Sequence, residues 1–241
     1  MRRAFVSLIA ALLPLAACAA DTQAPYKTTK PMKIGIIGTG DIGGALARHW
    51  GAAGHQLLIS SRHPEELQAL AKEIGPNVKV GTPREAAAFG EVVMLAVPFG
   101  ALPQVGRDYA AELKGKVVLD AGNPYPARDG EMAVRDRQRG TGVASAEYLP
   151  GTRLVRAFNA INAGPLAREG FRKPERIGIP LAADDPAAMK IAEQLVNDAG
   201  FDPVPVGKLS RAREFDYGTP VYVRGMTAAE LRQALKLPAQ R

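Results

Sequence analysis

Short apolar runs alternate with amphipathic stretches along most of the chain, starting at Lys33. Apolar runs of about four to eight residues between turn residues are typical of buried strands, and the stretches between them have helical spacing. This alternation predicts a Rossmann-type α/β fold with a doubly wound parallel sheet, strand order 3-2-1-4-5 plus later strands, and a small C-terminal α/β extension. The strands are expected at Lys33–Gly38, Gln56–Ile59, Val78–Val80, Val92–Val97, Lys116–Asp120, Arg153–Phe158, Ile177–Ala182 and Phe201–Val206.

The helices follow from the same pattern and from their capping residues. Asp185 before a proline predicts one helix start, and Thr227 with Glu230 forms a capping box that opens a short C-terminal helix. Residues 125–150 are polar and lack a clear period, which predicts a functional loop or lid, with Arg135–Arg139 as a solvated loop. The longer helices are expected at Ile42–Ala53, Pro64–Ile74, Pro83–Phe89, Ala101–Leu113 and Asp185–Ala199.

The turn after the first predicted strand has the pattern Gly-x-Gly-x-x-Gly, at Gly38, Gly40 and Gly43. In a dinucleotide-binding turn, the first glycine makes the tight turn and the second lets the backbone approach the pyrophosphate. The third lets the helix pack closely on the strand, and the helix start then offers free N–H groups to the anion. The turn therefore predicts binding of a nicotinamide cofactor.

The end of the second strand indicates which cofactor is bound. An NAD site normally has Asp or Glu here, whereas this chain has Ser61 and Arg62. The hydroxyls of Ser60 and Ser61 and the planar guanidinium of Arg62 suit a 2′-phosphate. A carboxylate at this place would repel that phosphate. We therefore predict NADP(H), with His63 as a further phosphate contact or an exposed loop residue.

Two later strand ends should reach the same edge of the sheet, where ligands bind in doubly wound folds. Backbone groups of Ala96, Val97 and Pro98 are expected beside the cofactor. Asn123 follows the fifth strand and could offer its amide to nicotinamide or to substrate. The alternative is that Asn123 only suits the turn before Pro124.

The N-terminus has the features of an export signal, with two arginines, an apolar run to Ala17 and small residues before Asp21. Leu15–Cys18 is similar to a lipobox, which would make Cys18 the site of lipidation, and the paired arginines resemble a twin-arginine signal. We expect an exported protein, periplasmic or anchored to the membrane surface as a lipoprotein. Cleavage after Ala20 without lipidation, and a cytoplasmic protein starting at Met32, stay open.

The predicted organisation follows from these features. It comprises a signal peptide over 1–20, a linker over 21–31, an NADP-binding Rossmann domain over 32–122, its C-terminal α/β part over 123–225 and a short helical tail over 226–241.

Composition limits the chemistry. The chain has 241 residues and a formal charge of +7, but its basic residues are scattered, so no nucleic-acid partner is expected. Cys18 is the only cysteine, which leaves the predicted mature domain without a disulfide or a thiol nucleophile. His49, His55 and His63 form no metal-ligand or catalytic-triad pattern, so we expect no metal site and redox chemistry from a bound cofactor.

Five segments together resemble the NADP-dependent oxidoreductases that use the deazaflavin coenzyme F420. The similarity extends from Met32 to Glu214, and the last segment is the most family-specific. The segments are Gly38–Gly43, Ser61–Arg62, Ala96–Phe99, Val155–Asn159 and Ala199–Arg213.

The resemblance implies hydride transfer between the nicotinamide and a second redox cofactor or small acceptor, such as a deazaflavin or flavin, with no acid–base residue strictly required. Asp41 departs from the family by placing a carboxylate beside the expected pyrophosphate, where it could instead cap the helix. The implied NADP contacts are Thr39, Gly40, Asp41, Ile42, Ser61, Arg62, Val97 and Pro98, and Phe158 and Asn159 would border the second substrate.

The sequence leaves two other functions open. One is a non-catalytic NADP-binding module of the cell envelope that senses redox state. The other is an enzyme similar to pyrroline-carboxylate reductase, although the chain after Phe215 is short for that enzyme's helical domain. The expected partner is a small-molecule redox acceptor, and a second copy of the chain is retained as a candidate partner.

Overall fold

The computed structural model describes Lys27, Thr28 and residues 30–238 of the chain. The predicted signal peptide with Cys18, and the first part of the predicted linker, lie outside the described residues. Within the described part, no helix has both the length and the apolar character needed to cross a membrane.

A single eight-stranded sheet holds the described chain together. Its strands are β1 (Lys33–Ile37), β2 (Gln56–Ser60), β3 (Val78–Gly81), β4 (Val92–Leu95), β5 (Val117–Asp120), β6 (Arg153–Arg156), β7 (Gly178–Ala183) and β8 (Asp202–Gly207). Their order is β3-β2-β1-β4-β5-β6-β7-β8, which confirms the predicted order of the first five. All neighbours are parallel except β6 and β7, which are antiparallel.

Ten α-helices of the described chain connect and cover these strands. They are α1 (Asp41–Ala53), α2 (Gln68–Ile74), α3 (Pro83–Phe89), α4 (Leu102–Asp108), α5 (Ala110–Leu113), α6 (Pro126–Arg139), α7 (Thr141–Tyr148), α8 (Ala163–Arg168), α9 (Pro186–Asp198) and α10 (Ala228–Ala234). The caps at the starts of α9 and α10 are confirmed, because Asp185 accepts from two N–H groups and Thr227 and Glu230 form the capping box.

The prediction of a loop over residues 125–150 is wrong. The segment forms α6 and α7, and the basic run Arg135–Arg139 lies on the last turn of α6 rather than in a solvated loop. The helical period is hidden because α6 buries only Ala133 and Asp136, so few apolar positions mark its inner face. Asp136 accepts hydrogen bonds from Arg135 of the same helix (2.9 Å) and from the Tyr148 hydroxyl of α7 (2.7 Å), and the second bond holds α6 to α7.

Two other expected helices are interrupted, and one helix was missed. The segment 101–113 divides into α4 and α5 at Tyr109, whose φ and ψ of −118° and 20° are not helical. A 3₁₀ turn, Pro64–Leu67, precedes α2. The six-residue α8 was not predicted, because it is too short to show a period.

Apolar side chains pack on both faces of the sheet. Trp50 of α1 is fully buried on one face, where its ring nitrogen donates to the Leu195 carbonyl (2.8 Å). His55 is also fully buried, with Nδ1 accepting from the Met32 N–H (3.1 Å) and Nε2 lying 3.0 Å from Asp198 Oδ2. His49 lies 2.7 Å from the Leu166 carbonyl, so these two histidines have structural partners.

Candidate functional site

The carboxyl ends of β1, β2 and β4 meet at one edge of the sheet and form the walls of a cleft of about 590 Å³. Parallel strands place their carboxyl ends together, and ligands of doubly wound folds bind at this edge. Residues from three predicted segments line the cleft: Gly38, Thr39 and Gly40; Ser61 and Arg62; and Ala96, Val97 and Pro98.

The glycine turn is held rigidly against its neighbours. Gly38 has a φ of +91°, and a Cβ there would lie 2.6 Å from the Ala96 carbonyl oxygen. The N–H groups of Gly38 and Thr39 both donate to the Ser60 carbonyl (3.1 Å each), and the Thr39 hydroxyl donates to it as well (3.0 Å). A Cβ on Gly43 would lie 2.1 Å from the Gly38 carbonyl oxygen, so only glycine lets α1 pack this closely.

Gly40 differs from the other two glycines because its Cα faces open space. A Cβ built on it has no neighbour within 4 Å among the described atoms. Gly40 is the N-cap of the 13-residue α1, whose N-terminus carries positive partial charge. Asp41 is the exposed first residue of the helix and Ile42 is half-buried, so Asp41 does not occupy the cap position.

The end of β2 supplies the polar groups of the cleft. Ser61 is half-buried and Arg62 is exposed at the cleft wall. The Ser61 hydroxyl accepts from the His63 N–H (3.0 Å), which shapes the loop that carries the guanidinium. The Nδ1 atom of His63 lies 3.3 Å from Glu65 Oε1, and the His63 side chain is exposed.

Beyond the cleft, the ends of β5 and β6 bring the predicted substrate-adjacent residues together. Asn123 donates through Nδ2 to the Asn159 carbonyl (2.8 Å), so its amide has a protein partner. Asn159 Nδ2 donates to Asp216 (3.1 Å), and Asn159 Oδ1 is buried without a hydrogen bond from any described residue. Phe158 has a φ of +60°, and its buried ring packs edge-on against Trp50.

A buried ion-pair network under these residues was not predicted. Arg156 at the end of β6 is fully buried and donates to Asp120 Oδ2 (2.7 Å), to the Gly122 carbonyl (2.8 Å) and to Asp216 Oδ1 (3.1 Å). Asp120, at the end of β5, lies directly opposite Arg156 in the pairing of β5 with β6. The sequence did contain a signal for this network, because Asp120 and Arg156 are charged residues at the ends of two apolar strands. Charged side chains at such positions are seldom buried unless they pair with each other.

Among the described residues, no group of three or more His, Cys, Asp or Glu side chains is arranged to hold a metal ion.

Comparison with known proteins identifies the family. Residues 33–124 match the family model described as NADP oxidoreductase coenzyme F420-dependent. The F420-dependent NADP reductase of Methanothermobacter marburgensis is 31% identical over 217 residues, which cover 84% of this chain and 96% of that protein. The chain belongs to the F420-dependent NADP reductase family. It is an NADP-dependent oxidoreductase.

Two further similarities of this F420-dependent NADP reductase family member have lower identities. The metalloreductase STEAP3 of Rattus norvegicus is 28% identical over 194 residues, which cover 76% of this chain but 36% of that protein. The crystal structure of the Sinorhizobium meliloti protein SMa0349 has a TM-score of 0.72 and 27% identity, and the match covers 82% of this chain and 96% of that one.

Proposed function

We propose that the cleft binds NADP(H) through the named residues of β1, β2 and β4, and that the chain transfers a hydride between the nicotinamide and a small planar acceptor. The observation that carries the proposal is the presence of Arg62 and Ser61 in the same cleft as the glycine turn. A cation and a hydroxyl at the end of β2 suit a 2′-phosphate, and this position has no carboxylate.

The residues present fit this cofactor. The open side of Gly40 and the N-terminus of α1 provide room and N–H donors for a pyrophosphate. Gly38, Thr39, Asp41, Ile42 and Gly43 form the turn and the first helical residues around it. The backbone of Ala96, Val97 and Pro98 forms the adjoining wall.

The bound cofactor would supply the hydride, and the protein supplies position. Arg62 would hold the 2′-phosphate at the end of β2, and the Gly38 turn would hold the pyrophosphate beside it. Asn123 and Asn159 lie next along this edge and would border the acceptor. The prediction for Phe158 is wrong, because its ring is buried in the core against Trp50. The hydrogen bond from the Asn123 amide to the Asn159 backbone carbonyl limits how far this border can shift.

We propose a deazaflavin such as coenzyme F420 as the acceptor, supported by the names of the relatives. NADPH-loaded protein should be mixed with coenzyme F420, free flavins, quinones and ferric chelates while absorbance at the NADPH band is followed. We expect oxidation with coenzyme F420. Oxidation of NADPH only by ferric chelates would contradict the deazaflavin proposal.

Substituting Arg62 tests the cofactor assignment. We expect Arg62→Ala to weaken NADPH binding by about 10- to 100-fold, because a charge-assisted hydrogen bond contributes roughly 1.5–3 kcal/mol. NADH lacks the 2′-phosphate, so its affinity should change by less than about twofold. Titration calorimetry with both cofactors measures the two effects.

The matched control for Arg62 is Arg48→Ala. Arg48 is also an exposed arginine, which lies on α1 and pairs with Glu73 (2.7 Å) outside the cleft. This variant should bind both cofactors like the unsubstituted protein. Equal affinity of the unsubstituted protein for NADPH and NADH would contradict the NADP assignment.

We also propose that the protein is exported, anchored by a lipidated Cys18. The support is the sequence of the N-terminus, with its two arginines, its apolar run and the lipobox-like Leu15–Cys18. The start at Met32 is disfavoured by contacts of the residues before it, since the Thr28 N–H donates to the Ala53 carbonyl (2.8 Å) and Gln194 donates to the Lys30 carbonyl (2.9 Å). Residues ahead of Met32 are thus packed on the domain. The intact mass of the mature protein distinguishes an acylated Cys18, cleavage after Ala20 and a start at Met32.

A further inference from the structure

Two carboxyl groups share one guanidinium below the ends of β5 and β6. Arg156 donates to both Asp120 (2.7 Å) and Asp216 (3.1 Å), and their side chains are between 0% and 10% exposed. If both carboxyls were ionised, this buried group would have a net charge of −1. An uncompensated charge in a buried position is costly, so the group has a reason to bind a proton.

The two carboxyls differ in their capacity to take that proton. Both oxygens of Asp120 accept hydrogen bonds, from the Gly122 N–H (2.8 Å) and from Ser145 (2.7 Å) and Arg156 (2.7 Å). Asp216 accepts the bonds from Arg156 and Asn159 through Oδ1. Its buried Oδ2 lacks a well-formed hydrogen bond from the described residues, and the neighbouring hydroxyl of Thr141 can act as either donor or acceptor. A proton on Asp216 Oδ2 therefore removes the excess charge without displacing a donor.

The surroundings of Asp216 also favour its protonated form, and an open cavity connects it to solvent. Burial raises the pKa of Asp216, although the Arg156 charge and the nearby Thr141 hydroxyl oppose this effect. Asp216 also forms part of the wall of an open cavity of about 370 Å³, through which a proton could be exchanged. The charged or titratable groups that approach it from the packed elements are Asp120 of β5, Arg156 of β6, Arg137 of α6, and Arg213 and Tyr217 in its own segment.

Asp216 is also connected to the end of the site where the nicotinamide should lie. With the adenosine half over β2 and β1, a dinucleotide extends across the strand-order reversal toward β4 and β5. Asn159 follows β6 at this end and donates directly to Asp216 Oδ1 (3.1 Å). The nicotinamide ring is neutral when reduced and cationic when oxidised, so the charge near this network depends on the cofactor's redox state.

We propose that Asp216 is a proton site linked to the redox state of the bound cofactor, protonated beside reduced nicotinamide and ionised beside oxidised nicotinamide. The inference rests on the proposed NADP(H) binding. A nearby positive charge favours the ionised form of a carboxyl, and removal of that charge favours the neutral form.

Asp216 in this role supplies the proton that the reaction needs. Conversion of NADPH, an acceptor and one proton into NADP⁺ and the fully reduced acceptor moves two electrons and one hydrogen as hydride. The acceptor gains one negative charge, which one proton neutralises. Asp216 releases this proton as the nicotinamide becomes cationic, and takes up another from solvent when NADPH replaces NADP⁺.

Binding measurements test the proposal without any acceptor. The dissociation constants of NADPH and NADP⁺ should be measured from pH 5.5 to 9. We expect the ratio of the NADP⁺ constant to the NADPH constant to fall up to about tenfold per pH unit, because one proton is released when NADP⁺ replaces NADPH. Effects of the 2′-phosphate and of Arg62 are common to both cofactors and cancel in the ratio.

Two variants identify the titrating group. In Asp216→Asn, which keeps an Oδ1 acceptor for Arg156, the ratio should no longer depend on pH. Asp136→Asn is the matched control, because Asp136 is also a buried acid paired with an arginine but lies on α6 outside the network. This control should keep the pH dependence of the unsubstituted protein.

Proton release gives a second measurement that needs only the unsubstituted protein and Asp216→Glu. Displacing NADPH with excess NADP⁺ in weak buffer should release up to one proton per chain, detected with an indicator dye. Asp216→Glu should keep this release with a shifted pH midpoint. A pH-independent ratio in the unsubstituted protein, an unchanged slope in folded Asp216→Asn, or no proton release would overturn the inference. Failure to bind either cofactor would instead contradict the proposed function.

Discussion

Replacing Arg156 with methionine is expected to lower the free energy of unfolding by about 3–5 kcal/mol, because it leaves two buried carboxyls without their shared cation. Arg156 is fully buried and also donates to the Asp120 and Gly122 carbonyls, which join the ends of β5 and β6. Methionine keeps much of the length but none of the donors. Urea denaturation at pH 7 measures the loss.

A surface arginine provides the control for this prediction. Arg135 is 57% exposed and pairs with the buried Asp136, which keeps its bond from Tyr148 when Arg135 is removed. Arg135→Met should therefore cost no more than about 1 kcal/mol. Adding Asp216→Asn to Arg156→Met should recover part of the lost stability, because one of the two uncompensated carboxyls is removed. A loss of less than about 1 kcal/mol in Arg156→Met would show that the network is not a major stabilising contact.

The second large effect is expected at the glycine turn. Gly43→Ala should lower the free energy of unfolding by about 3 kcal/mol, because overpacked sites next to rigid backbone cost roughly 1–3 kcal/mol or more. Its Cβ would lie 2.1 Å from the Gly38 carbonyl oxygen and 3.2 Å from Ile36. Alanine normally favours a helix over glycine, so a loss here would report the close packing. Urea denaturation measures the stability, and NADPH titration should show that affinity falls as well.

Gly40→Ala separates binding from stability at the same turn. Gly40 has a φ of −82°, and apart from Gly40 and its two chain neighbours no described residue has an atom within 4 Å of the position that a Cβ would occupy there. The free energy of unfolding should therefore fall by no more than about 1 kcal/mol, which is the preference of an N-cap for glycine over alanine. The added methyl group would occupy the space proposed for the pyrophosphate, and NADPH affinity should fall by about tenfold or more. Unchanged affinity in this variant would contradict the proposed position of the dinucleotide.

Local patterns predicted the first half of the fold better than the second. The apolar runs of β1 to β5 and the glycine turn are strong signals because each buried parallel strand needs a continuous apolar segment. The helix α6 was interpreted as a loop because its inner face is polar and is held by bonds from Arg135 and Tyr148 to Asp136. Such a face has no apolar period to detect.

The candidate site divides in the same way. The residues of the cleft were predicted from contiguous motifs, because a cofactor-binding turn uses residues close together in the chain. The Asp216 network was missed, since its members come from β5, β6 and a segment 60 residues beyond Arg156. Only the fold shows that these charges share one buried position.

The sequence by itself determined the strand order of the first five strands, the Gly38, Gly40 and Gly43 turn, and the choice of Ser61 and Arg62 over an acid after β2. These features depend on local backbone geometry and on charge within a short segment. The tertiary structure decided that residues 125–150 are helical, that Asn123 and Asn159 bond to each other, and that Asp216 shares Arg156 with Asp120. Those outcomes depend on which distant groups are buried together, because burial sets the cost of an unpaired charge or polar atom.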